Sequence, residues 1–220
     1  MVKKISLLGM ELDNYSFPEA IKIIESFLSD TVLSTVLSVD LKKLLRAGED
    51  PAVREVLCAT AYTVITDRTL LEASPDSGAE RMFEVADGSF ARAFLNHMYR
   101  ADRTFYLVAG SRADLIVLRR YLTENFSYIR ILGESVIMGS PTENERHVNS
   151  INILMPDVIL SVLDSPQEER FLKQYQPQLC ARVWYGAGRE LLQHKSRFSI
   201  GERIRQARDR SFLRARLRNR

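Results

Sequence analysis

Short apolar runs alternate with stretches of helical periodicity along most of the chain. Residues 4–8 read as a strand and 11–13 as its return. Ser16 and Glu19 then have the spacing of a capping box, with Pro18 near the helix start. The helix they open places Ala20, Ile23, Ile24, Phe27 and Leu28 on one face. Residues 31–39 (TVLSTVLSV) form the β-branched run of a central strand. Asp50-Pro51 starts a short helix, and 62–66 (YTVIT) is the next strand. Residues 72–88, with Ser, Pro, Asp and Gly, read as a loop, followed by a helix with Phe90, Ala93, Phe94 and Met98 inward. The second half repeats the alternation. A strand over 104–109 runs into Gly110-Ser111, and a helix follows with Ile116, Leu118 and Leu122 on its apolar face. A strand near 128–132, a helix from Thr142, a buried strand over 157–163, a helix from Ser165-Pro166 and a last strand over 181–185 complete the series. Strands separated by single helices predict right-handed crossovers and a mainly parallel sheet covered on both faces. The α/β pattern spans residues 1–190 as one domain, and 191–220 form a basic helical tail.

Charge sharpens that division. The chain carries 31 Lys and Arg against 28 Asp and Glu, a formal +3. Residues 195–220 hold ten Lys or Arg and two Asp or Glu, a local +8, so the body before them is acidic, at −5. Arg203, Arg205, Arg208, Arg210 and Arg214 dominate the tail, with Ile200, Ile204, Ala207, Leu213 and Leu217 as a sparse apolar stripe. A basic amphipathic segment suits an anionic membrane surface. A solvated helix face and non-specific nucleic-acid binding are the rival readings, though nothing in the acidic body favours nucleic acid. Cys58 and Cys180 are far apart and form no CxxC pair, so they predict two small buried thiols in a reducing, cytoplasmic setting rather than a disulfide. His97, His147 and His194 match no metal-ligand spacing, so no metal site is predicted. The N-terminal segment lacks a signal-peptide apolar region, and no stretch approaches the ~20 apolar residues of a membrane span.

In an open parallel sheet, ligands bind at the carboxyl ends of the strands. The polar residues there are Ser38 and Asp40, then Thr66, Asp67 and Arg68, then Gly110 and Ser111, and last Asp164, Ser165, Glu168 and Glu169. No GxGxxG, P-loop or GxSxG motif is present. Asp67 directly follows an apolar strand, where partial desolvation would raise its pKa for general-base work. The same position also suits an Asp capping the next helix. Gly110-Ser111 could admit a phosphate or make a tight turn. Glu168 and Glu169 could meet a ligand or offset a helix dipole.

Taken in order, these segments resemble the WecG/TagA/CpsF glycosyltransferases. Residues 4–14 (KISLLGMELDN) are similar to the family's "ILGVPVDN" opening, and 19–28 to the helix that follows. Residues 38–40 stand at "N-A-D", 50–57 at "dPelreal", and 64–67 at the strand ending in "DG". Residues 105–111 (FYLVAGS) are similar to "vfLLGg". Residues 156–160 and 165–169 parallel "pDillVglG.PkQE", and Gly186-Ala187 stands at "vGGaFD". The resemblance covers about residues 3–190 and implies a Rossmann-like fold. It further implies transfer of an N-acetylhexosamine, of the N-acetylmannosamine type, from a UDP-sugar to an undecaprenyl-diphosphate-linked sugar. The setting implied is the cytoplasmic membrane face, with no cofactor beyond the donor; a homo-oligomer is compatible with it. By the same resemblance Asp67 is the catalytic base. Ser38, Asp40, Gly110, Ser111, Ser165, Glu168 and Glu169 hold the UDP-sugar, and the tail arginines meet the membrane and the lipid diphosphate. The chain departs from the pattern at Ser38, Arg68, Glu84, Ala86, Val162, Asp164 and Glu168, the last placing an anion where a nucleotide contact is implied. These departures support an alternative, a catalytically degenerate member acting as a binding or scaffolding subunit in polysaccharide assembly.

Overall fold

The computed structural model describes residues 3–74, 79–86, 90–188 and 190–193. Strands β1 (Lys4–Leu7) and β2 (Met10–Asp13) form an antiparallel hairpin. Then come α1 (Phe17–Phe27), β3 (Ser34–Val39), α2 (Leu41–Glu49), α3 (Pro51–Ala59), β4 (Tyr62–Ile65), α4 (Arg68–Glu72) and α5 (Ala79–Ala86). The second half runs α6 (Phe90–Arg100), β5 (Thr104–Ala109), α7 (Arg112–Asn125), β6 (Arg130–Val136), α8 (Pro141–Leu154), β7 (Val158–Ser161), α9 (Gln167–Tyr175), β8 (Val183–Gly186) and α10 (Glu190–Gln193). Strands β3 to β8 make a parallel six-stranded sheet in the order β4-β3-β8-β7-β5-β6. The fold is α/β and Rossmann-like.

The near-continuous apolar runs of the central strands are the mark of a sheet buried on both faces. Alternate residues feed two cores. Leu37, Tyr106, Val108, Ile159 and Trp184 pack with helices α2, α3, α8 and α9. Val36, Phe105, Leu107, Val158, Leu160 and Tyr185 pack with α1, α6 and α7. The open edge of β4 is closed by the hairpin: Asp13 N donates to Thr63 Oγ1 at 2.7 Å, and Thr63 N donates to Asp13 Oδ2 at 2.9 Å. That pairing removes an exposed strand edge.

Several sequence expectations change. Residues 79–86 are helical rather than a loop, and α2 was not anticipated: only Lys43, Leu44 and Ala47 of its nine residues are buried, so its apolar signal is thin. Strand β6 lies further along than 128–132, and Tyr128 is exposed. As an edge strand it has a half-exposed pattern that lacks a clear apolar run. On α7 the buried positions are Leu115, Leu118 and Leu122, while Ile116 faces outward. Cys58 and Cys180 are free and exposed, not buried. The tail arginines and the boundary near residue 190 concern segments largely outside the described residues.

Candidate active site

All six parallel strands end on the same side, and the four adjacent strands β4, β3, β8 and β7 end around a cleft of about 240 Å³. Ser38 and Asp40 come from the end of β3, Thr66 from β4, Leu163, Asp164 and Ser165 from β7, and Ala187 and Gly188 from β8. The first turn of α2 adds Lys42 and Lys43. Ladder bonds continue past the strand ends and fix these loops: Thr66 N donates to Val39 O, Val162 N to Val108 O and Ala187 N to Ser161 O, each at 2.9–3.0 Å. Two hydroxyls in this lining, Ser38 Oγ and Ser165 Oγ, are buried and have no hydrogen-bond partner among the described residues. Ser38 is only 6% exposed. Buried polar atoms are nearly always paired, so two orphans in one cleft mark a place for ligand groups. Lys42 is the free cation of the cleft: among the described residues no carboxylate pairs with it.

Beside the cleft the charges are already paired. Asp40 caps α2 by accepting from Lys43 N at 2.6 Å. The Lys43 side chain lies 3.0 Å from Glu168 Oε2 and 3.1 Å from Glu169 Oε1. Glu168 Oε1 accepts from Trp184 Nε1 at 3.1 Å. Burial acts to discharge Lys43, but the two carboxylates outweigh it and hold the ammonium above the usual lysine range. Gly186 makes room for this arrangement, since a Cβ there would lie 2.7 Å from Glu168 Cδ and Oε2. Both glutamates are 0% exposed and neither lines the cleft. The structure thus places both glutamates behind the cleft, where they join α9 to α2 through Lys43.

Asp67 faces a neighbouring groove of about 450 Å³ that shares Asp40 and Lys42 with the cleft and adds Leu41, Leu45, Arg46 and Glu49. Its carboxylate caps α4. Oδ1 accepts from Thr69 N at 2.9 Å and Thr69 Oγ1 at 2.7 Å, and Oδ2 accepts from Leu41 N at 3.3 Å. Burial pushes its pKa up, but the Thr69 and Leu41 hydrogen bonds outweigh that and hold it below the ordinary carboxylate value. The expected upward shift is corrected in sign. Asp67 is a helix cap whose carboxylate borders an open groove.

The remaining predicted residues divide cleanly. Ser38, Asp40 and Ser165 come together in the cleft. Gly110 and Ser111 do not line it. Ser111 Oγ caps α7 through Asp114 N at 3.1 Å, and the absent Cβ of Gly110 leaves room for Gln167 Oε1, 3.1 Å from where it would stand. Arg68 turns to Glu72 at 2.7 Å, and Glu84 binds Arg81 and the Phe17 amide, so neither fills the cleft. Arg203, Arg205, Arg208, Arg210 and Arg214 lie outside the described residues. Lys42, Lys43 and Gly188 were missed from sequence. Reading Asp40 as a helix cap would have placed both lysines in the first turn beside the strand ends. Among the described residues no group of three His, Cys, Asp or Glu could hold a metal ion, and no helix is long and apolar enough to cross a membrane.

A search among curated proteins found no match. The sequence profile of the Glycosyl transferase WecG/TagA/CpsF family matches residues 5–194, which include every strand of the sheet and the whole cleft. The chain therefore belongs to the WecG/TagA/CpsF family, glycosyltransferases of cell-envelope polysaccharide synthesis.

Proposed function

We propose that this chain transfers an N-acetylhexosamine, of the N-acetylmannosamine type, from a UDP-sugar to an undecaprenyl-diphosphate-linked sugar at the inner face of the cell membrane. The observation that carries the reading is the open cleft at the strand ends, where among the described residues Ser38 Oγ and Ser165 Oγ lack partners and Lys42 lacks a counter-ion. These groups suit a sugar nucleotide: two hydroxyls for its polar oxygens and a cation for its diphosphate. The acceptor approaches over the adjoining groove, where Leu41 and Leu45 offer apolar surface beside Lys42 and Arg46. In the reaction Asp67 takes the proton of the acceptor hydroxyl, that oxygen bonds to the anomeric carbon, and the bond from that carbon to UDP breaks. Lys42 offsets the charge gathering on the leaving diphosphate. The tail residues Arg203, Arg205, Arg208, Arg210 and Arg214 meet anionic lipid and the acceptor's diphosphate.

The test is UDP release from a UDP-N-acetylhexosamine in the presence of a short-chain lipid-diphosphate acceptor. Wild-type turnover and its loss in Asp67→Asn support the mechanism; turnover that survives the substitution sinks it. A second reading, a non-catalytic binding or scaffolding subunit, draws on the three hydrogen bonds that already occupy the Asp67 carboxylate. It predicts no turnover and no UDP binding by calorimetry, so tight UDP binding counts against it.

A further inference from the structure

At the amino-terminal ends of the strands, opposite the cleft, lies a groove of about 690 Å³. Three neighbouring segments form it, 31–33 before β3, 155–157 before β7 and 179–182 before β8, together with 176–178 after α9. Leu33, Leu179 and Ala181 line it as buried apolar residues, while Val32 and Met155 are 73% and 69% exposed. Met155 closes α8 at φ +43°, the left-handed conformation in which glycine is usual, so this helix end carries a long apolar side chain. Two charged residues border the groove, and they differ in their partners. Asp157 Oδ2 accepts from Thr104 N and Thr104 Oγ1, each at 2.8 Å, and its Oδ1 lies 3.7 Å from Arg103. Arg182 Nη1 donates to Asp30 O, but among the described residues no carboxylate pairs with its guanidinium. A guanidinium fork holds a carboxylate through two parallel hydrogen bonds. Its single charge matches a monoanion; a phosphate dianion would leave one negative charge unmatched in a groove that already holds Asp157. The volume exceeds what a carboxylate alone fills, and the apolar lining suits an apolar tail.

We infer that this groove binds an amphipathic monoanion, a medium- or long-chain carboxylate, with Arg182 on the carboxylate and Val32, Leu33, Met155 and Leu179 along the tail. The groove shares no lining residue with the cleft or with the groove beside Asp67, so the inference goes beyond the proposed transfer reaction and stands apart from it.

The chain carries its own reporter for a test. Cys180 lines the groove and is exposed, while Cys58, exposed on α3, does not line it. In the full chain, saturating decanoate slows iodoacetamide alkylation at least about fivefold at Cys180 and leaves Cys58 unchanged, read by peptide mass spectrometry. By calorimetry, Kd falls at least about tenfold from octanoate through decanoate to dodecanoate, below the ceiling of about fourfold per fully buried methylene. Decanol, with the same number of carbons and no charge, binds at least about tenfold more weakly than decanoate. Arg182→Gln erases that difference. Val32→Glu, at an exposed position, weakens decanoate at least about threefold at low salt while the thermal midpoint stays unchanged. Equal protection of both cysteines, or none at Cys180, overturns the site. Decanol bound as tightly as decanoate, or a decanoate affinity untouched by both substitutions, overturns the carboxylate class. Absence of decanoate binding below its micellar concentration overturns the inference outright.

Discussion

Lys43, Glu168 and Glu169 place one positive and two negative charges in a space that solvent barely reaches. Removing one partner of such a cluster leaves charge uncompensated, whereas the intact cluster contributes little net stability. Lys43→Met should therefore cost about 3–5 kcal/mol, read by urea denaturation. Adding Glu168→Gln and Glu169→Gln to it should recover part of that loss. A cost below about 1 kcal/mol for the single change would mean the two carboxylates find other partners. Asp67 allows its two roles to be separated. Serine caps a helix about as well as aspartate, and alanine does not. Asp67→Ser should keep stability within a few tenths of a kcal/mol while abolishing transfer, and Asp67→Ala should lose about 1 kcal/mol as well. The folded-state pKa of Asp67 lies below the ordinary 3.8. The cap's contribution is thus complete above pH 3.8 and is lost as pH falls beneath it. The acid limb of kcat/KM set by this base should lie below pH 3.8 too. An acid limb near neutrality would instead show that the carboxylate leaves its cap before it acts.

At the scale of elements, caps and ion pairs act with unequal weight, and Asp50 carries one of each. Its Oδ1 accepts from Ala52 N at 2.9 Å at the start of α3, and its Oδ2 lies 3.4 Å from Arg170 on α9. The backbone bond is a helix cap; the ion pair is exposed and screened. Asp50→Ala should lower stability clearly more than Arg170→Ala does, in parallel thermal or urea unfolding. Equal losses would refute that ranking. Such local chemistry also decided what could be read in advance. Strands β3, β4, β5, β7 and β8 announce themselves as β-branched or aliphatic runs, because both their faces are buried. The start of α1 was legible from Ser16 and Glu19, whose Oε2 accepts from Ser16 N at 3.0 Å. Helix α5 was hidden because Ser, Pro, Asp and Gly crowd both sides of it. The direction of the Asp67 shift was hidden because its hydrogen bonds come from α2 and α4, a tertiary arrangement that strand-end position cannot foretell. Glu168 looked like a ligand contact for the same reason. Its partner Lys43 stands 125 residues away in sequence.

For the whole molecule, the question is how an acidic body and a basic tail divide the work. The cleft and groove lie inside the span shared with the family, while the tail residues 195–220 follow it. If the tail serves membrane attachment, its charge should govern where the protein sits and leave donor affinity alone. Each Lys or Arg near an anionic surface contributes about 1 kcal/mol. Replacing Arg203, Arg205, Arg208, Arg210 and Arg214 with Gln should then weaken binding to phosphatidylglycerol vesicles on the order of 10³-fold, with non-additivity lowering the figure. The wild-type interaction should fade as salt rises past roughly 0.15 M, where the Debye length is near 8 Å. Vesicles of neutral phosphatidylcholine should bind neither protein appreciably. UDP affinity should be the same in both proteins if Ser38, Lys42 and Ser165 hold the nucleotide. Vesicle binding that survives all five changes would sink membrane attachment through this charge. A matching loss of UDP affinity would instead make the tail part of the nucleotide site, and tight salt-sensitive binding to duplex DNA with none to vesicles would reassign its partner altogether.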